Sequence, residues 1–77
     1  MGYLRGSPQV RFSRHVDKTA ECWVWTGYRN VWGYGVFGPM LAHRWAWTDA
    51  NGPIPDGLCV LHHCDNPPCV RLDHLYI

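Results

Sequence analysis

The sequence predicts a small α+β domain of short β-hairpins and one main helix, stapled by a metal ion. Three observations carry that expectation. Short runs rich in β-formers are punctuated by Gly and Pro. One stretch, residues 42–51, has helical spacing. And HHCDNPPCVRLDHL, residues 62–75, crowds five metal-ligating side chains together: His62, His63, Cys64, Cys69 and His74. A chain of 77 residues buries only a thin core and often needs such a staple.

Residues 1–19 are polar and broken by Gly2, Gly6 and Pro8. They read as a loose lead-in, which gives a division into a basic N-terminal arm, 1–20, and a folded domain, 21–77. CWVWT, residues 22–26, alternates: Cys22, Val24 and Thr26 share one face, Trp23 and Trp25 the other. GYRNVWG is a turn, with Gly27, Asn30 and Gly33 as breakers. GYGVF, residues 33–37, is a second strand, and Gly38 and Pro39 turn the chain again. Ala42, Trp45, Ala46 and Asp49 then fall at helical spacing. Gly52 followed by Pro53 predicts the helix stop. PIPDG, residues 53–57, is a rigid loop, and LCVLH, residues 58–62, is a third strand. Five Trp in so short a chain are expected mainly in the core around the helix.

The formal net charge of +1 excludes a strongly basic nucleic-acid binder. The charge is uneven, though. Arg5, Arg11, Arg14, Lys18 and Arg29 stand against only Asp17 and Glu21, so an N-terminal phosphate contact is as good a reading as a solvated terminus. No apolar run is long enough to span a membrane. The start carries no apolar secretion-signal core, so a cytosolic chain is expected. In a reducing compartment its four Cys favour metal ligation over disulfides.

The ligand spacing is Cys64-x4-Cys69-x4-His74. Two thiolates and an imidazole suit tetrahedral zinc, which takes four N or S ligands. Asn66, Pro67 and Pro68 bend the chain so that both sulfurs can face one point. The fourth ligand must come from elsewhere. Cys22 and Cys59 are the thiol candidates, and His43 is a weaker one. Cys22 is preferred, because on an extended strand Cys59 points opposite to His62 and Cys64. Residue identity alone also leaves His62 or His63 as the fourth ligand. If Cys64 holds the metal, His62 is fixed beside it and can take a proton from water; a packed or surface histidine is the plainer reading. Asp65 is expected to cap backbone amides of the turn, and Asp73 to be exposed.

CWVWTG, GYGVF, AHRWAW, NGPIPDG and VLHHCDNPPCVRLDHL follow one another in this order. That order resembles phage-type HNH endonucleases. The His-x-Cys-x4-Cys-x4-His core is similar to that of His-Cys box homing endonucleases. Both are ββα-metal, or His-Me finger, nucleases, and the resemblance covers residues 21–77. It implies a structural Zn²⁺ on Cys22, Cys64, Cys69 and His74. It implies His62 as general base in hydrolysis of double-stranded DNA, and a catalytic Mg²⁺ at the scissile phosphate. It also implies Arg44 as a phosphate-neutralising residue and DNA contacts from the hairpins and from Arg5, Arg11, Arg14 and Arg29. A phage-encoded chain of this kind would act in the host cytoplasm. The sequence departs from the family pattern in places. Leu61 stands where a polar residue is common, Arg71 and Leu72 stand where Asn and Pro are common, and the family's metal-binding Asn falls after Ile77. These departures set out an alternative: a zinc-stabilised, catalytically impaired module that binds DNA, or binds and inhibits a host protein.

Overall fold

The computed structural model describes residues 7–77. Arg5, among the expected DNA contacts, lies outside the described residues. Two helices and three two-stranded antiparallel sheets follow one another: α1 (Pro8–Ser13), β1 (Val16–Asp17), β2 (Val24–Trp25), β3 (Val36–Phe37), β4 (Met40–Leu41), α2 (Ala42–Asn51), β5 (Leu61–His62) and β6 (Leu75–Tyr76). A 3₁₀ turn, Leu72–His74, precedes β6. This is the expected α+β architecture of short hairpins around one main helix.

The N-terminal segment corrects the reading of a loose lead-in. Ser7 caps α1 by accepting from Val10 N, and Pro8 sits in the first turn, where its missing N–H costs nothing. Phe12 on α1 is buried between Trp25, at 4.9 Å, and Trp45, at 4.6 Å between ring centroids. The segment then pairs through β1 with β2, in the register Val16↔Trp25 and Asp17↔Val24. From Pro8 onward the chain is therefore part of the packed domain.

The helix α2 runs over the residues the spacing predicts. It ends where Gly52 takes a φ of 89°, a left-handed conformation that costs a residue with a side chain dearly. Its Ala42 and Ala46 face the core with Phe12, Trp25, Val60, Val70 and Leu75. The strands are much shorter than the runs that predict them, because each hands over to irregular partners. Trp25 N donates to Pro68 O at 2.8 Å, and Val70 N donates to Trp23 O at 2.8 Å. Those two bonds stitch the end of β2 to the ligand-rich loop, a pairing no local pattern reveals.

Trp25 is the centre of the core, and Gly35 makes room for it. A Cβ on Gly35 would stand 2.5 Å from Trp25 Cδ1. Gly35→Ala is expected to overpack this point at a cost of about 2 kcal/mol. In a domain this size that lowers Tm by roughly 10 °C. A thermal melt checks this, and an unchanged midpoint would mean that the indole has space to move.

Candidate metal centre and histidine cleft

Four elements converge on one point. Cys22 precedes β2, Cys64 follows β5, Cys69 lies in the loop stitched to β2, and His74 closes the 3₁₀ turn before β6. The β2-to-loop bonds set Cys22 beside Cys69, and the isolated bridge Val24↔Cys69 fixes the register. Pairing of β5 with β6, Leu61↔Tyr76 and His62↔Leu75, continues as His63 N donates to His74 O at 2.8 Å, which sets Cys64 beside His74. One ligand atom from each of Cys22, Cys64, Cys69 and His74 lies within 4.8 Å of all the others.

The donor set fits a tetrahedral thiophilic ion. Cys22 Sγ is 3.7 Å and Cys69 Sγ 3.5 Å from His74 Nδ1. An S···N edge of a tetrahedral zinc site is about 3.5 Å, given Zn–S and Zn–N bonds of about 2.3 and 2.0 Å. The cluster is thus a Cys₃His group that could hold a metal such as zinc. The other candidates for the fourth ligand sit elsewhere: Cys59 is exposed, and His43 is buried with its Nε2 3.1 Å from Val60 O. His63 is exposed and stacks on Tyr76, with 4.2 Å between ring centroids.

The thiols differ in their surroundings. Burial pushes the Cys69 thiol up to about 11, against backbone N–H groups of Arg71 and Trp23 that favour its thiolate. The Asn66 side chain beside Cys22 holds that thiol below its ordinary value. A bound cation would favour the thiolate at both positions. Arg71, which the sequence marks only as a departure, clamps this end of the site. Its guanidinium bonds the Asp73 carboxylate at 2.6 and 3.0 Å and the Glu21 carbonyl at 2.8 Å, next to Cys22. Asp73 is exposed, as expected, and Arg71 holds its carboxyl below the usual range.

His62 is half-buried, and its Nε2 lies 2.8 Å from Cys69 O. A carbonyl only accepts, so Nε2 carries the hydrogen and Nδ1 keeps a free basic lone pair. Cys69 therefore serves twice: its sulfur belongs to the Cys₃His cluster and its carbonyl fixes the imidazole. His62 lines a cleft of about 210 Å³ with Tyr34, Val60, Leu61, Asp65, Pro67 and Tyr76. Asp65 departs from expectation. It takes a positive φ of 53°, and among the described residues its exposed carboxylate accepts no hydrogen bond. It is instead the one carboxylate in the His62 cleft.

Sequence reasoning missed a second layer behind His62. The His43 and Tyr34 rings lie 4.7 and 6.1 Å from the His62 ring, and 5.2 Å from each other. His43 is 4% exposed, and its Nδ1 has no partner. Burial, then the neighbouring His62, pushes its pKa down to about 4. The folded value lies below the ordinary 6.5, so the unfolded chain binds the extra proton. The stability this gives is complete above pH 6.5 and is lost as pH falls toward 4. Between pH 7 and 5 the parent should lose about 2 kcal/mol that His43→Gln does not lose. Urea titrations of the two chains check this. A constant difference between them would mean that His43 is not held neutral by burial.

The expected phosphate contacts are dispersed. Arg44 lies on α2 beside His43, is not part of the His62 cleft, and makes no ion pair among the described residues. Arg11 and Arg14 line a separate open groove of about 600 Å³ with His15, Trp25, Tyr28 and Phe37. Arg29 is held at the foot of its loop, donating through Nε and one terminal nitrogen to Trp25 O at 3.2 and 2.9 Å.

A Cys₃His cluster that could hold a metal, set behind a hairpin that carries a fixed histidine, characterises this small α+β domain. Residues 40–77 match the family model described as HNH endonuclease. The chain is 42% identical over 59 residues to Protein 7.7 of Escherichia phage T7, covering 71% of this chain and 45% of that protein. It is 35% identical over 69 residues to Protein 2.8 of the same phage, covering 77% and 43%. It is also 48% identical over 36 residues to the uncharacterized gene 5.3 protein of Enterobacteria phage T3, covering 47% and 36%. The chain thus spans less than half the length of these relatives. No solved structure matches it. Among the described residues no helix is long and apolar enough to cross a membrane.

Proposed function

We propose that this chain is a metal-dependent DNA endonuclease domain that hydrolyses phosphodiester bonds of double-stranded DNA. The observation that carries the reading is the double use of Cys69, which ties the Cys₃His cluster to a histidine whose Nδ1 is left free. Cys22, Cys64, Cys69 and His74 would hold Zn²⁺, which supplies rigidity here and no chemistry. His62 Nδ1 would accept a proton from the attacking water, and the Cys69 carbonyl keeps the ring in the required tautomer. Asp65, sharing the cleft, would hold a catalytic Mg²⁺; such ions are commonly bound by one or two carboxylates together with substrate phosphates. When bound, that ion supplies charge neutralisation at the scissile phosphate. Arg11 and Arg14 would meet the flanking backbone, with Arg5 and Arg44 as further phosphate contacts, while Arg29 braces its loop. A phage protein of this kind would act in the host cell cytoplasm.

Leu61 favours a second reading. It stands at the mouth of the cleft, half-exposed, and offers no ligand atom. A zinc-stapled module that binds DNA or a host protein without cutting would tolerate this residue better than a nuclease does. Supercoiled plasmid separates the readings. Nicking that requires Mg²⁺ and His62 supports hydrolysis. A folded chain that never nicks sinks it, and salt-sensitive binding would then point to DNA.

A further inference from the structure

The loop between β2 and β3 displays its apolar side chains to solvent. Val31 is 88% and Trp32 74% exposed, although the other four Trp lie in or against the core. The tip is nevertheless tightly built. Asn30 Oδ1 accepts from Trp32 N at 3.0 Å and from Tyr34 N at 3.1 Å. The Asn30 backbone donates to Tyr34 O at 2.9 Å and accepts from Gly33 N at 3.0 Å. Gly33 takes a φ of 86° to close the turn. Below the tip, Arg29 pairs with Gly35 and is pinned to Trp25 O, and Val36 N donates to Tyr28 O at 2.8 Å. An ordered turn that fixes two large apolar groups in water has already met the ordering cost that a contact would otherwise demand.

The surroundings select the kind of contact. Between Thr26 and Thr48 the chain holds Arg29 and Arg44 and not one Asp or Glu. Tyr28, also exposed, stands at the edge of the groove that Arg11 and Arg14 line, which contains no carboxylate. At its other end the tip leads through Tyr34 directly into the His62 cleft. An aromatic side chain on a chain segment that carries arginines and no acids, with Asp65 as the one carboxylate of the neighbouring cleft, suits a polyanion with stackable faces.

We propose that Val31 and Trp32 form a base-contacting wedge: Trp32 stacks on a nucleic-acid base, with Val31 packed beside it, next to the phosphate engaged at His62. The inference deepens the nuclease reading and rests on it for the choice of partner. A wedge of this type unstacks a base step and fixes where the backbone enters the cleft.

The test uses the zinc-loaded chain without added Mg²⁺, with a fluorescein-labelled duplex carrying 2-aminopurine at successive positions. Anisotropy reads binding, and 2-aminopurine emission reads unstacking. The parent should bind and raise the emission at one or two adjacent positions. Trp32→Ala should bind about tenfold more weakly and lose the rise, whereas Trp32→Phe should keep both. Trp32 is largely free of the core, so all three chains should melt together. If Trp32→Ala binds and unstacks like the parent, the wedge is overturned. The nicking assay is scored separately. Trp32-dependent unstacking without nicking keeps the wedge and removes hydrolysis. Nicking with no dependence on Trp32 does the reverse. A parent that binds no DNA removes both.

Discussion

Stripping the metal is expected to unfold the chain. The packed core is small: seven buried apolar residues form one cluster, and the strands they hang from are only two residues long. A domain of this size has a net stability of about 5–10 kcal/mol. A structural zinc site contributes on the order of 10 kcal/mol or more at neutral pH. Removing it therefore takes away about as much as the domain has in hand. The cluster is also reachable, since a surface cleft opens onto Cys22, Cys64 and His74, so a chelator should act without prior unfolding. The expected result is one zinc per chain by elemental analysis and loss of the thermal transition with chelator. Thiol counting gives an independent reading. Cys59 is exposed and should react at once in the loaded protein, whereas all four Cys should react after chelation. Cys69→Ser should behave like the stripped chain, because it removes a buried ligand and leaves the other three short of a partner. A melting curve indifferent to chelator would mean that the four residues merely pack together.

The way the four cluster residues are brought together also explains what the sequence could disclose. Cys64, Cys69 and His74 are legible because their spacing is local and two prolines bend the chain between the thiols. The end of α2 is legible for the same reason, with Gly52 and Pro53 as adjacent stop signals. Cys22 could be preferred but not placed. What brings it in is the pairing of Trp23 and Trp25 with Val70 and Pro68, and strand alternation in CWVWT says nothing about an irregular partner far along the chain. The same limit applies to Arg71, whose clamp on Glu21 O spans most of the domain. The N-terminal segment was misread for a different reason. Pro8 counts as a breaker in a run of glycines, but a Ser-Pro step is also a helix start, and only the burial of Phe12 decides between them. Asp65 was expected to satisfy turn amides. In the structure, Cys69 N bonds Asn66 O across the turn, and the carboxylate is left in the cleft. The tryptophans divide as the core permits: Trp25 fills it, and Trp32 lies beyond its reach.

Replacing His62 should abolish nicking while the fold survives. General-base assistance contributes roughly 100- to 10,000-fold, so His62→Ala is expected to nick plasmid at least about 100-fold more slowly than the parent in Mg²⁺. The substitution also removes the hydrogen bond to Cys69 O, worth about 1 kcal/mol. That loss alone would lower Tm by roughly 4–8 °C. Since Cys69 also belongs to the Cys₃His cluster, slower nicking by His62→Ala could reflect either a missing base or a slackened cluster. His62→Gln separates the two. Its side-chain amide can still donate to the Cys69 carbonyl, so the cluster keeps its support, but it has no nitrogen that takes up a proton near neutral pH. If His62 acts as the base, Gln should restore Tm and bound zinc yet nick as slowly as Ala. If His62 only props the loop, Gln should restore nicking along with Tm. Two variants at one position thus read the imidazole's two nitrogens separately: Nε2 through stability and Nδ1 through rate.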